Sequence, residues 1–297
     1  MSTRRLLSRG ARLAGFAILA AALWFLGREL VRHWPSLAAW RPDPASLAVI
    51  GLLALAYGGL LFLLAEAWHR IVAGFGAEPR RRTYLSFTAT QIARYLPGNV
   101  AHLLGRALWL RGGPLGDGAL ARATAIEVAV TPAGAVLVLA LALPLLPLER
   151  LQLPGWASGL VPPDGALALG AFAVIGLGAA LAARRIRGIA GPLLLAMSFM
   201  VGLGAVFAGV AVLLGFADPL LAGFVAVIAW LVGYLTPGAP GGLGMREAVL
   251  VAVLGANGGG EGALLAALVF RIVTILGDLA CFLVGWQVLW TRRASTV

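Results

Sequence analysis

Six predominantly apolar stretches divide the chain, at about 12–33, 46–69, 119–146, 164–183, 190–216 and 262–290. A stretch of roughly 20 residues crosses the hydrocarbon core of a bilayer as an α-helix. Hydrocarbon offers the backbone no hydrogen-bond partner, so only helices and closed barrels can span it. The short alternating strands of a barrel are not visible. Composition points the same way, with 61% apolar residues, 12% charged residues and a mean hydropathy of +0.94, unlike a soluble domain. We therefore expect an all-α polytopic membrane protein forming a single transmembrane domain over residues 1–297.

The net charge of +11 rests on arginine alone, since the chain has no lysine. Its arginines are spread over short loops and form no basic face, which argues against nucleic-acid binding. Cys281 is the single cysteine, so no intramolecular disulfide and no zinc-type ligand spacing can be written. There is no nucleophile elbow and no metal-binding His/Glu pair, and the Asn257–Gly260 segment lacks the lysine of a phosphate loop. Neither a cofactor, a metal nor an enzymatic activity is expected. The oligomeric state is not legible.

Two further regions, about 83–111 and 219–256, are long enough for a helix in and a helix out, yet neither half crosses comfortably. They carry copies of one pattern: Tyr95-Leu96-Pro97-Gly98 followed by Gly105-Arg106, and Tyr234-Leu235-Thr236-Pro237-Gly238 followed by Gly244-Met245-Arg246. In both, an arginine stands nine residues after the proline. Proline ends a helix by removing a donor and clashing with the preceding turn, so each region reads as a broken helical hairpin.

Loop charge then sets an expected topology. With the N-terminus inside, the cytoplasmic side receives Arg4, Arg5, Arg9, Arg12, Arg70, Arg80, Arg81, Arg82, Arg111, Arg184, Arg185, Arg187, Arg292 and Arg293, while the outer loops hold Arg41 and Arg150. This obeys the positive-inside rule if both hairpins are re-entrant. The order is span, span, hairpin, span, twice over, with repeat one at about 12–147 and repeat two at about 164–290. Such inverted repeats are frequent in secondary transporters. The alternative is two ordinary helix pairs or tilted spans. The first apolar stretch is expected to stay as an anchor, because no small-residue cleavage site precedes Arg28. Both termini are placed in the cytoplasm of a bacterial inner membrane.

The breaks define the candidate site. Half-helices starting near Asn99 and near Gly242 or Leu243 would offer free amides and positive dipole ends to an anion. Pro97, Gly98, Asn99, Pro237, Gly238, Gly241, Gly242 and Gly244 shape the breaks, and Arg94, His102, Arg106 and Arg246 supply donors. The planar fork of arginine suits phosphate, so together these residues form a candidate lipid head-group receptor. The competing reading is structural: Arg94 caps the carbonyls ending its half-helix, Arg106 and Arg246 snorkel or pair with acids, and His102 packs. A mid-membrane arginine costs about 2.5–3.5 kcal/mol on insertion scales and has to be compensated. Glu127, Glu247, Arg271 and Asp278 are the remaining intramembrane charges; they read as a gate or proton relay, or as salt bridges between the repeats.

At these motifs the chain resembles the lysylphosphatidylglycerol synthase transmembrane region family of flippase-like membrane proteins. The matching residues are Arg94 to Val100 with Gly105-Arg106, then Pro237 to Glu247, and Arg271 in the last span. The resemblance implies lipid handling across the inner membrane by a stand-alone member without the synthase domain, so lysyl transfer is not implied. Many members carry an acid after the first motif's glycine, where this chain has Gly105-Arg106. The expected function is movement of a phosphate-bearing lipid, phospholipid or polyprenyl-phosphate-linked, between leaflets. The expected partner is thus an anionic membrane lipid. The alternative is a non-transporting subunit that anchors a glycosyltransferase or other lipid-modifying enzyme.

Overall fold

The computed structural model describes residue 31 and residues 40–96, 100–146, 187–236, 240–259 and 262–294. The expected spans at 12–33 and 164–183 lie outside these residues apart from residue 31, as do Pro97, Gly98, Asn99, Pro237 and Gly238. Among the described residues the regular elements are all helical. There are eight α-helices: α1 (Pro44–Ala73), α2 (Arg80–Thr90), α3 (Ala101–Leu110), α4 (Asp117–Ala142), α5 (Arg187–Leu213), α6 (Pro219–Leu235), α7 (Met245–Leu254) and α8 (Gly262–Ala294). Four of them, α1, α4, α5 and α8, are long and apolar enough to cross a membrane, and they coincide to within a few residues with the expected spans at 46–69, 119–146, 190–216 and 262–290.

Local sequence explains the helix starts. α1 and α6 both begin at an Asp-Pro pair, in which the aspartate accepts from an amide of the first turn and proline takes a position whose N–H would be unpaired anyway. Asp43 accepts from Ser46 N at 2.8 Å and Asp218 from Leu221 N at 2.9 Å. Hydrogen bonding to the Ser46 side chain first, and to its amide second, lowers the Asp43 carboxyl's pKa. α4 runs straight through Pro132. Proline has no N–H to give, which leaves the carbonyl of Val128 one turn back without its usual donor. The hydroxyl of Tyr234, on α6, fills that place at 3.2 Å.

Both motif regions are a helix, a break and a second helix. α2 tightens into a 3-10 turn over Gln91–Tyr95 before the first break, and a short 3-10 turn, Pro240–Gly242, lies within the second. The returning helices start at Ala101 and Met245, two or three residues later than the expected Asn99 and Gly242 or Leu243. In the second motif the reason is backbone geometry: Gly241, Gly242 and Gly244 have φ of 56°, 73° and 83°, in the left-handed region that a helix does not use and that glycine tolerates best. α2, α3 and α7, of ten or eleven residues, are each too short to cross a bilayer at about 1.5 Å per residue.

The spanning helices touch through small residues. Water expulsion does not drive helices together in lipid, so close backbone approach and van der Waals contact must do so. A Cβ on Gly277 of α8 would stand 2.6 Å from Tyr57 Cδ1 and 2.7 Å from the Ala54 carbonyl oxygen, both on α1. Gly204 of α5 and Gly223 of α6 face each other so closely that a Cβ on either would meet the other's carbonyl oxygen at 3.0 or 2.8 Å. α1 packs most extensively against α5 and α8, and this three-helix contact carries Tyr57, Leu61, Phe199, Leu203 and Phe207, all fully buried.

The Gly277 contact gives a direct test. Gly277→Ala is expected to lower stability by about 1–3 kcal/mol through overpacking. Gly59→Ala, where no atom lies within 4 Å of the added carbon, is expected to be neutral or slightly stabilising. Thermal unfolding of the two purified variants in the same detergent checks the difference.

Candidate functional site

α8 brings the two motifs together. Arg271, Thr274 and Asp278 lie at helical spacing on one face and all three are buried. Asp278 reaches the first motif: its carboxylate accepts from Gln91 Nε2 at 3.1 Å, from Arg94 Nη1 at 3.0 and 3.4 Å, and from the Tyr95 hydroxyl at 2.6 Å. Arg94 also donates to the Tyr57 hydroxyl of α1 at 3.1 Å. Arg94 is thus held by a carboxylate on another helix, an ion pair in place of the capping role that was its structural alternative. Tertiary pairing with a buried carboxylate takes precedence, because a lone carboxylate at this depth is far costlier than a few frayed carbonyls.

Arg271 reaches the second motif. Its Nη1 donates to the Gly241 carbonyl at 3.3 Å and lies 3.7 Å from Glu247 Oε1, while its guanidinium sits 5.7 Å from the centre of the Tyr95 ring. The breaks themselves touch. A Cβ on Gly241 would meet two Tyr95 ring carbons at 3.5 Å and the Arg94 carbonyl at 3.6 Å. Glu247 does a second task by accepting from the Gly244 amide at 2.8 Å. One of the amides at the start of α7 is thus already taken by the chain's own carboxylate.

The two repeat-related arginines, Arg106 and Arg246, have opposite surroundings. Arg106 ion-pairs with Glu127 of α4, donates from Nη2 to Gln91 Oε1 at 3.1 Å, and lies 3.8 Å over the Phe87 ring. Its partners are internal and complete the salt bridge that was the structural alternative. Arg246 has no carboxylate at ion-pair distance among the described residues, and its Nε, like those of Arg106 and Arg271, has no hydrogen-bond partner. It is 7% exposed. Its stem runs between two glycines: a Cβ on Gly233 of α6 would stand 2.6 Å from Arg246 Cγ, and one on Gly242 would stand 2.6 Å from Nε. Beyond them the guanidinium lies 5.8 Å from the Trp230 ring, which stacks on Tyr234 at 4.9 Å.

Among the described residues the central cluster thus holds four guanidinium groups, on Arg94, Arg106, Arg246 and Arg271, and three carboxylates, on Glu127, Glu247 and Asp278, while the buried Glu78 pairs with Arg82 outside it. Each carboxylate has its own arginine. One positive charge remains in excess, at Arg246. His102 is buried nearby in sequence to Arg106, with Nδ1 unpartnered. Among the described residues no three of His, Cys, Asp and Glu gather as a metal-binding group.

Several residues of this cluster were not singled out from sequence. Tyr57, Gln91, Trp230 and Gly233 all contribute, and only Gln91 carried a signal, being an amide three residues before Arg94 in apolar surroundings. The ion-pair network is testable. Asp278→Ala strands Arg94 in the interior and should cost about 3–5 kcal/mol, whereas the double substitution Arg94→Met with Asp278→Leu should recover most of that loss. Thermal unfolding of the single and double variants checks it.

Comparison of the chain with protein-family models, with curated proteins and with solved structures returns no match.

Proposed function

We propose that the protein moves a phosphate-bearing lipid, phospholipid or polyprenyl-phosphate-linked, between the leaflets of a bacterial inner membrane, with the head group docking on Arg246. The observation that carries this reading is the excess positive charge at Arg246. A buried arginine without a counter-charge is expensive in hydrocarbon, and such residues mark ion and substrate paths there. A phosphodiester brings one negative charge and oxygens arranged for the guanidinium fork, which balances the interior and satisfies the free donors. The glycine slot of Gly233 and Gly242 keeps the stem in one track, so the cation is positioned before any anion arrives.

In this proposal the two motif regions are re-entrant hairpins of an inverted repeat, with six full spans and both termini cytoplasmic. The nine-tenths burial of Arg246 corresponds to a closed state, and access from either leaflet requires the halves to move apart. Arg271, paired with Glu247 and the Gly241 carbonyl, sits where a gate would act. Arg106 holds the first hairpin to α4 and has a positioning role rather than a docking one. The family resemblance of the two motifs supports lipid as the cargo.

Reconstituted into vesicles, the protein is expected to equilibrate a fluorescent anionic phospholipid or a polyprenyl-phosphate lipid between leaflets. Arg246→Ala should slow this at least tenfold while leaving the unfolding temperature nearly unchanged. Arg246→Lys, which keeps the charge but loses the fork, should fall between. Gly233→Ala should resemble Arg246→Ala, because its methyl group displaces the arginine stem. Absence of lipid movement by the unaltered protein for both lipid classes, or an Arg246→Ala variant that matches it, would overturn the proposal in favour of a non-transporting anchor subunit.

A further inference from the structure

A cavity of about 350 Å³ lies away from the central cluster, between α2 and α8, with Phe62 of α1 at its floor. It is lined by Phe62, Leu85, Thr88, Val284, Gly285 and Val288, with Arg80, Arg81 and Tyr84 at one end. The polarity of this groove is ordered along its length. Arg80 is level with Glu66, to which it donates at 2.8 Å, and Arg81 is level with Val288, whose carbonyl accepts from it at 3.3 Å. Phe62, Leu85 and Val284 each lie four residues further in, which is about one helical turn or 6 Å. Thr88 lies deeper still. Its hydroxyl is spent on the Tyr84 and Leu85 carbonyls, so it adds no free donor to the apolar stretch. At the groove's inner end Gly285 lets α8 pack directly on α2, since a Cβ there would collide with the Thr88 side chain.

The charges at the polar end do not cancel. Glu66 is shared by Arg70, Arg80 and the Tyr84 hydroxyl, at 2.8, 2.8 and 2.7 Å. Arg81 has no carboxylate partner among the described residues, and the Val288 carbonyl takes one of its five N–H donors. The groove therefore pairs an unspent, exposed guanidinium with an apolar channel running one to two turns inward. In a helix bundle that crosses a membrane, that is the shape and charge order of a single anionic amphiphile.

We infer that this groove is a binding site for an anionic phospholipid of the leaflet on the Arg81 side, distinct from the Arg246 site. The phosphate sits on Arg81 and an acyl chain lies along Phe62, Leu85 and Val284. Val284 is 47% exposed and Val288 39% exposed, so neither is a core position and both are covered once the chain is seated. This site does not rest on lipid movement by the protein; a resident lipid would be bound there whether or not Arg246 carries cargo.

The test uses the full chain in detergent with defined lipid added back, read by native mass spectrometry. Phosphatidylglycerol is expected to remain bound where phosphatidylcholine is lost. Arg81→Gln should weaken its retention roughly fivefold, Arg81→Glu should weaken it further, and Val284→Trp, which fills the channel, should abolish it. Arg122→Gln, at an exposed arginine outside the groove, should leave retention unchanged. A photo-cross-linking side chain in place of Val284 should label lipid. Equal retention of both lipids, insensitivity to Arg81→Glu and Val284→Trp, or cross-links that go instead to another part of this chain or to a second copy would each overturn the inference.

Discussion

A single carboxylate, Asp278, anchors the interior. Its two oxygens gather an amide, a guanidinium and a phenol from the stretch that leads into the first break. Without that anchor, Gln91, Arg94 and Tyr95 would be polar groups with no water to turn to, and a broken helix at this position would be unaffordable. The network extends from there. Gln91 uses its other end to accept from Arg106, which pairs with Glu127, so α8, the 3-10 turn, α3 and α4 are joined through one continuous set of hydrogen bonds. Seven residues earlier on α8, Arg271 performs the equivalent service for the second break through the Gly241 carbonyl. The irregular backbone exists because one regular helix carries both its counter-charges.

The two similar motifs differ in chemistry while sharing their form. Each has a break and an arginine nine residues after its first proline. In the first copy the arginine is enclosed by an acid, an amide and an aromatic ring. In the second, the acid next in sequence, Glu247, turns away to the Gly244 amide and to Arg271, and glycines replace the enclosing side chains. Two motifs of similar form thus hold their arginines differently: Arg106 pairs with a carboxylate, and Arg246 has none at ion-pair distance among the described residues.

How much of this was readable from residues alone divides along physical lines. Apolar run length located α1, α4, α5 and α8, because a span must be long and its period is irrelevant to its detection. The Pro-Gly pairs located both breaks, since proline acts through its own covalent geometry. The starts of α3 and α7 were misplaced by two or three residues, as they depend on the left-handed turns at Gly241 to Gly244 and on where the chain leaves the break. Partners were not readable. Arg94 and Asp278 are 184 residues apart, and nothing in either neighbourhood marks the other. Tyr57 and Gly233 matter through positions on α1 and α6 that are unremarkable in sequence, and the role of Tyr234 follows from Pro132 only once α4 and α6 are seen side by side.

The Gly277 crossing has a mechanical meaning. The backbones of Gly277 and Gly58 meet there beside the fully buried Tyr57 ring, so α8 has little room to slide closer to α1, and the contact can serve as a fulcrum. Arg271 lies six residues to one side of it and Val288 eleven to the other, or about 9 and 16 Å along the axis. Any tilt of α8 about this point carries the two ends in opposite directions. Were α8 to tilt as a rigid rod about this point, a displacement at Val288 would be returned, reversed in sense and reduced by nearly half, at Arg271, which clamps the second break.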